Sequence, residues 1–324
     1  MHTLSYFQEL IEKGLSKLEL DKKPAELYDP IQYMLNLGGK RMRPALLLMS
    51  NEMFGGNPEE VISPALGIEV FHNFTLLHDD IMDNAPLRRT KATVHEKWNA
   101  NVAILSGDTM FVQSCQLMMK VKDHHLRKVM DLFMRTAIEV CEGQQYDMNF
   151  EKEDKVSLEE YLEMIALKTA VLLGGSLAIG AICANAKEND IENIYDFGKK
   201  LGIAFQLQDD ILDAYGDIEK FGKQVGGDII SNKKTFLLIS ACEQAKGKQL
   251  ERLTLLLNQK NFVAEEKVKT VISIYDELNI KEQAEQKMDE YFHQAMKHLK
   301  TIQVSDDRKD LLASFAEKLM VRTS

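Results

Sequence analysis

His78-Asp79-Asp80-Ile81-Met82-Asp83 and its echo, Gln208-Asp209-Asp210-Ile211-Leu212-Asp213, organise the rest of this chain. Both spell Asp-Asp-x-x-Asp. Apolar residues run straight into each, from Val70, Phe71, Phe74, Leu76 and Leu77 in one case and from Ile203, Ala204, Phe205 and Leu207 in the other. On a helix, residues three and four apart share a face, so Asp79, Asp80 and Asp83 form one acidic patch and Asp209, Asp210 and Asp213 a second. Carboxylates crowded on an apolar helix repel one another and resist desolvation unless cations sit among them. Two such patches facing each other across a helical bundle suit Mg²⁺, a hard ion that completes its shell with water and substrate phosphate. The pair therefore predicts a metal-bridged diphosphate site.

An acidic cluster on a helix is more often a solvated face or a helix start, and the chain supplies its own control. Asp306-Asp307-Arg308-Lys309-Asp310 has the same spelling, but Ser305 precedes it and an apolar run begins at Leu311. That copy reads as a capped, acidic first turn, favoured by the positive end of the helix dipole.

The fold class follows from what is missing between the motifs. All six prolines lie at or before Pro86, so the remainder can be a succession of long helices. Patterns of 3.6-residue period recur, as in 126–138 and 250–257, while strand-like alternation is scarce. With no linker-like stretch in 324 residues, the expectation is an all-α, single-domain bundle (1–324) of long helices around a central catalytic cavity. Ala170 to Ala186 carries no charge, but its glycines and short length favour a buried central helix over a membrane span.

A net charge of −10 argues against nucleic acid as a partner. It leaves room for an anionic substrate, because bound Mg²⁺ and local basic clusters invert the local field. Cys115, Cys141, Cys183 and Cys242 show neither zinc nor disulfide spacing and fit a reducing cytoplasm. The acidic, amphipathic N-terminus is not a signal peptide.

Two basic clusters flank the first aspartate motif. Gly38-Gly39-Lys40-Arg41-Met42-Arg43-Pro44 offers three cations where a helix is expected to start, a setting that suits phosphate. The same residues could be a solvated turn, and they lack the form of a nucleotide-binding loop. Leu87-Arg88-Arg89-Thr90-Lys91 follows the motif and suggests Asp–metal–phosphate–Arg layering. Between them lies His72, which taken alone reads as an ordinary core or surface histidine.

Taken in order, these stretches resemble the trans-isoprenyl diphosphate (polyprenyl) synthase family over nearly the whole chain. The resemblance also rests on Ser106-Gly107-Asp108, Gly143-Gln144-x-x-Asp147, Lys168-Thr169, Phe205-Gln206, Gly216-Asp217, Gly222-Lys223, Gly226-x-Asp228 and Lys233-x-Thr235. It implies a short-chain enzyme that condenses isopentenyl diphosphate with dimethylallyl, geranyl or farnesyl diphosphate. It also implies a homodimer and roughly three Mg²⁺ ions per loaded site, each completing its shell with substrate oxygen. By the same resemblance, Asp79 and Asp83 bind metal with Asp80 in support, and Asp209 binds it with Asp210 and Asp213 acting through water. Arg88, Lys168, Lys223 and Lys233 grip the allylic diphosphate. Lys40, Arg43, His72 and Arg89 hold isopentenyl diphosphate, and Thr169 and Gln206 face the developing carbocation. Arg322 is a candidate to close over the diphosphate. Thr90 departs from the family pattern, in which glycine is common after the arginine pair.

Chain length can be argued from helix geometry. A product tail running back from Asp79 along a helix meets Phe74 and Phe71 at roughly 7–12 Å. Bulky rings at that depth block long tails, and the resemblance implies the size, since in that family an aromatic five residues before the motif accompanies C15 to C20 products. Phe71, Phe74 and Thr75 are the chain-length group, with geranylgeranyl diphosphate (C20) the expected product and farnesyl diphosphate (C15) close behind. The competing readings are a longer-chain synthase, a terpene cyclase, a non-catalytic partner subunit, and a di-iron bundle built on Glu69-x-x-His72 and Glu290-x-x-His293.

Overall fold

A computed structural model describes residues 2–216, 226–259 and 261–320. The described residues are overwhelmingly helical. In chain order the helices are α1 (Leu4–Leu15), α2 (Ala25–Asn36), α3 (Met42–Met53), α4 (Ile62–Met82), α5 (Val94–Lys97), α6 (Ala100–Met118), α7 (Asp123–Phe150), α8 (Leu158–Ile165) and α9 (Val171–Cys183). They continue as α10 (Glu188–Tyr215), α11 (Gly227–Ser231), α12 (Phe236–Gln244), α13 (Lys248–Asn258), α14 (Ala264–Glu277), α15 (Ile280–Thr301) and α16 (Asp306–Met320). The two short strands β1 (Leu87–Arg88) and β2 (Lys91–Ala92) pair antiparallel as a hairpin between α4 and α5.

Local chemistry starts these helices where the chain provides an acceptor for orphan N–H groups. Thr3 caps α1, Asn99 caps α6 and Thr235 caps α12 through their side-chain oxygens. Ser157 and Glu160 form a reciprocal capping box at α8. As the control segment predicted, α16 opens at Asp306 with two acidic residues in its first turn.

The residues divide into two compact units. One comprises Met1–Arg135, Gly175–Tyr195 and Gln303–Leu312; the other comprises Thr136–Gly174, Asp196–Ile302 and Ala313–Ser324. In the first, α4 is the central element, packed against α1, α2, α3, α5 and α6. Leu66, Ile68, Val70 and Phe71 are all buried, so this helix is apolar around its circumference, as a core helix must be. In the second unit, Ile203, Leu207 and Ile211 of α10 share a core with Tyr161 and Met164 of α8, Phe236 to Ile239 of α12, and Ile274 and Tyr275 of α14.

The uncharged stretch from Ala170 onward belongs to a helical run, Leu158–Cys183, that is apolar and long enough to cross a membrane, yet 89% of its apolar window is buried inside the protein. Within the first unit, α9 lies close against α3. Ser50 Oγ donates to the Leu177 carbonyl at 2.7 Å, and Asn51 Nδ2 donates to the Gly180 carbonyl at 3.1 Å. The approach depends on Gly180, where a Cβ would stand 2.1 Å from the Leu47 carbonyl oxygen. Backbone cannot yield as a flexible side chain can. Gly180→Ala is expected to cost about 3 kcal/mol of stability, the upper end of ordinary overpacking. A denaturant midpoint equal to that of the parent would contradict this packing.

Candidate functional site

The glycine-rich loop folds as an abrupt entry to α3, with positive φ at Gly38, Gly39 and Arg41. Arg41, the helix N-cap residue, turns inward. Its guanidinium donates to Glu12 at 2.7 Å, Glu69 at 2.6 Å and the Leu35 carbonyl at 2.8 Å. Of the three cations expected to face phosphate, this one is buried and tied to two carboxylates. Lys40 is exposed and Arg43 half-buried.

Arg43 Nη1 lies 3.1 Å from His72 Nε2. A guanidinium only donates, so Nε2 accepts and the ring is neutral with its proton on Nδ1. Burial, then the charges of Arg43, Arg89, Arg88 and Arg41, holds the His72 pKa well below the ordinary histidine value. Arg89 approaches from the hairpin, and its Nη1 sits 2.8 Å from where a Gly39 Cβ would be. Any other residue at Gly39 would push that guanidinium aside. The first unit thus gathers Arg43, His72 and Arg89 into one basic cluster.

The hairpin that carries Arg88 and Arg89 turns through Arg89 (φ 52) and Thr90 (φ 67). Two positive φ values are what a tight two-residue hairpin turn requires. A β-branched residue in that region is strained, which is the physical meaning of Thr90 standing where glycine is common. Tyr33 and Thr93 anchor the hairpin by donating to the Ala92 and Ala85 carbonyls, each at 2.7 Å.

The first aspartate motif occupies the last turn of α4, with Asp83 as its C-cap. Asp80 points inward. Arg88 Nε reaches its two oxygens at 2.9 and 2.8 Å, and Nη2 reaches Oδ1 at 2.8 Å. Burial nonetheless raises the Asp80 pKa against the pull of Arg88. Asp79 is partly exposed and Asp83 exposed. Carboxylates at a helix C-terminus oppose the dipole, so a cation at this end is doubly favoured.

Phe74, one turn and a half before Asp79, is half-buried, while Phe71 is fully buried. Phe74 packs against Phe111 of α6 with ring centroids 5.5 Å apart, and Phe71 meets Phe133 of α7 at 5.4 Å. Phe111 and Phe133 had no signal in the sequence that tied them to this group. Thr75 turns its hydroxyl back onto the His72 carbonyl at 2.8 Å.

In the second unit, Lys168 and Thr169 lie in a π-helical turn, Ala166–Ala170, between α8 and α9. Such turns insert one residue, which swings the following side chains round the axis, and they recur at functional sites. Lys168 pairs with Asp147, and Lys233 Nζ is 4.0 Å from the same carboxylate. Burial would raise the Asp147 pKa, but Lys233 and Lys168 outweigh it and hold it low. Gly143 makes this possible, since a Cβ there would stand 2.2 Å from the Lys168 backbone nitrogen.

Thr169 Oγ1 donates to Gln206 Oε1 at 3.2 Å, and Gln206 Nε2 donates to Asp210 Oδ1 at 3.2 Å. Tyr161 donates to the other Asp210 oxygen. Burial and neighbouring Asp228 push the Asp210 pKa up to about 7. Asp209 is half-buried, and Asp213 Oδ2 accepts the Asp228 backbone N–H at 2.9 Å. This second motif also sits in the closing turns of its helix, α10. Tyr161, Asp147 and Asp228 carry much of the local geometry. Asp147 and Asp228 stood in recognisable motifs without a role, and Tyr161 reads in sequence as core. Lys223 and Arg322 lie outside the described residues.

Among the described residues, no three His, Cys, Asp or Glu side chains form a ready-made metal cage. Pure carboxylate donors at open helix ends still fit Mg²⁺, which takes one or two carboxylates and leaves the rest of its shell to water and phosphate. They do not fit a di-iron centre. Glu69 is tied to Arg41 and Asn73, and His293 bonds the Asp289 carbonyl of its own helix.

Residues 24–275 match the family model described as Polyprenyl synthetase. A geranylgeranyl diphosphate synthase of Methanosarcina mazei is 40% identical over 243 residues, 74% of each chain. A short chain isoprenyl diphosphate synthase of Methanothermobacter thermautotrophicus is 33% identical over 99% of this chain and 98% of its own. A crystal structure of a geranylgeranyl pyrophosphate synthase superposes with a TM-score of 0.95 at 43% identity, covering 100% of both chains.

The His72 environment has a consequence in stability. As pH falls below 6.5, the ordinary histidine value, the unfolded chain binds a proton on this ring that the folded chain refuses. Its contribution is complete above that pH and is lost on acidification, by about 1.4 kcal/mol per pH unit per proton. Between pH 8 and 5.5 the parent should therefore lose stability more steeply than His72→Gln. Parallel profiles would contradict a neutral His72.

Proposed function

The chain belongs to the polyprenyl synthetase family, and on that premise we propose how this prenyltransferase uses its own residues. It is a short-chain enzyme that condenses isopentenyl diphosphate with an allylic diphosphate, with geranylgeranyl diphosphate the expected main product. The observation that carries the assignment of residues is that both Asp-Asp-x-x-Asp motifs end a helix, each with its middle carboxylate buried and paired.

Asp79, Asp83, Asp209 and, less directly, Asp213 would hold Mg²⁺. The bound ions would neutralise the diphosphate and act as a Lewis acid toward its departure. Arg88, Lys168 and Lys233 bind the allylic diphosphate, while Lys40, Arg43, His72 and Arg89 bind isopentenyl diphosphate. Neutral His72 can offer Nδ1–H to a phosphate oxygen while Nε2 steadies Arg43. The allylic C1–O bond breaks with its electron pair leaving on diphosphate. The isopentenyl double bond then attacks C1, and the released diphosphate takes the proton that restores an alkene. Gln206 Oε1 and Thr169 Oγ1 supply oriented dipoles for the cationic stage.

Arg88 must exchange part of its hold on Asp80 for substrate, or serve diphosphate with the Nη groups while Nε keeps Asp80. Its fork of donors permits the second arrangement.

The whole chain, 1–324, acts as one polyprenyl synthase domain. In support, four of the five divisions between the two units fall inside helices (α7, α9, α10 and α16), the fifth lying in the short connection between α15 and α16, and the family match spans segments of both. The protein works in the cytoplasm as a homodimer. The dimer is supported by Leu105 and Val112 on α6 and Met119 at its C-cap, spaced seven apart and exposed by 58, 57 and 55%. A heptad stripe of that kind suits a second helix. Leu105→Lys with Val112→Glu should halve the mass seen by light scattering; an unchanged mass would place the interface elsewhere.

For chain length, the half-buried Phe74 ring closes the path and Phe71 backs it. Phe74→Ala should shift products of the purified enzyme to C25 and beyond, sized as dephosphorylated alcohols. An unchanged profile would remove Phe74 as the stop.

A further inference from the structure

The second aspartate motif has a partner that the mechanism above does not use. Tyr161 lies on α8, 2% exposed, with its hydroxyl on one oxygen of Asp210. Gln206, one turn before Asp210 on α10, holds the other oxygen, and its own carbonyl oxygen receives the Thr169 hydroxyl. The four groups make a single line: Tyr161, Asp210, Gln206, Thr169.

The line has a direction. Tyr161 donates its one proton to Asp210, and in its ionised form Asp210 only accepts, so Gln206 presents its NH₂ to the carboxylate. That choice forces its carbonyl oxygen, the negative end of the amide dipole, to the Thr169 side. If the Asp210 carboxyl were loose, the amide could turn over and show the reacting centre its positive end. Two tethers on two oxygens prevent rotation of the carboxyl, and one of them is Tyr161.

The π-helical turn is part of the same device. Eight residues separate Tyr161 from Thr169, which in an uninterrupted α-helix would set them about 80° apart. The extra residue of the π turn, Ala166–Ala170, brings them toward one stripe. Their partners, Asp210 and Gln206, are four apart on α10 and share a face. Tight approach of the two segments is marked by Gly202, where a Cβ would stand 2.6 Å from Ala170 Cα.

We propose that Tyr161 is a positioning residue: by fixing Asp210 it locks the Gln206 amide with its carbonyl oxygen on Thr169, aligned for the allylic cation. It deepens the prenyltransfer assignment above and rests on it. Asp210 then serves as the fixed point of this line, while the metal-binding carboxylates are its neighbours.

The test is a double-mutant cycle of Tyr161→Phe and Gln206→Ala, with kcat and KM for both substrates measured at saturating Mg²⁺. Tyr161→Phe should lower kcat about tenfold, the scale of one hydrogen bond to a charged group, with both KM values within about threefold. In the Gln206→Ala background the same substitution should change kcat by less than about twofold, because the residues act in series. Multiplicative effects, or full activity in Tyr161→Phe, would overturn the proposal. If Tyr161→Phe does not fold, a crystal structure of the parent with Mg²⁺ and inorganic diphosphate decides. Asp210 should keep Tyr161 and Gln206, with neither oxygen at the 2.0–2.1 Å of a Mg²⁺ ligand. Direct ligation by Asp210 would overturn it. Loss of prenyl transfer in the parent itself would instead strike the assignment on which both stand.

Discussion

A carboxylate taken out of water must be paired. The middle aspartate of each motif meets that demand, Asp80 at 2% and Asp210 at 5% exposure. On a helix the first and last residues of Asp-Asp-x-x-Asp share a face, while the middle one lies about 100° round the axis. Turning the outer carboxylates toward solvent therefore drives the middle one inward. Desolvation would cost several kcal/mol without partners. Arg88 supplies them for Asp80, and Tyr161 and Gln206 for Asp210. The hairpin carrying Arg88 and the packing of α8 on α10 are thereby fixed to the helices that carry the acids.

The distribution of basic groups follows a similar logic. The chain is acidic overall, at −10, yet Arg43, Arg88 and Arg89 crowd around His72. Like charges so close raise the cost of the folded state and hold His72 neutral. A bound diphosphate would relieve that repulsion, so the strain stored among the cations becomes affinity for the anion.

Much of this was legible in the sequence. A proline-free run after Pro86 and the 3.6-residue pattern indicated long helices, and the acidic segment at Asp306 was recognisable as a helix start. Both aspartate motifs stood out because acids interrupt apolar runs and the loop at 38–44 because three cations follow two glycines, while Lys168-Thr169 was marked by the family resemblance. What could not be read was which side chain meets which. Arg41 looks like its neighbours Lys40 and Arg43, but a positive φ at the N-cap turns it to Glu12 and Glu69. The π turn has no compositional mark, since Ala-Leu-Lys-Thr-Ala is ordinary helix sequence. Tyr161 reads as a core aromatic, and only the fold shows its hydroxyl meeting an acid more than forty residues away.

The central claim is that these buried and exposed carboxylates serve Mg²⁺-dependent prenyl elongation to a short product. The most direct measurement gives the purified protein labelled isopentenyl diphosphate with dimethylallyl, geranyl or farnesyl diphosphate, with and without Mg²⁺, and sizes the dephosphorylated alcohols. The account predicts incorporation only with Mg²⁺ and a C20 alcohol as the main product, C15 next. Folded protein that incorporates no label with any primer, or builds mainly C30 and longer chains, would contradict it.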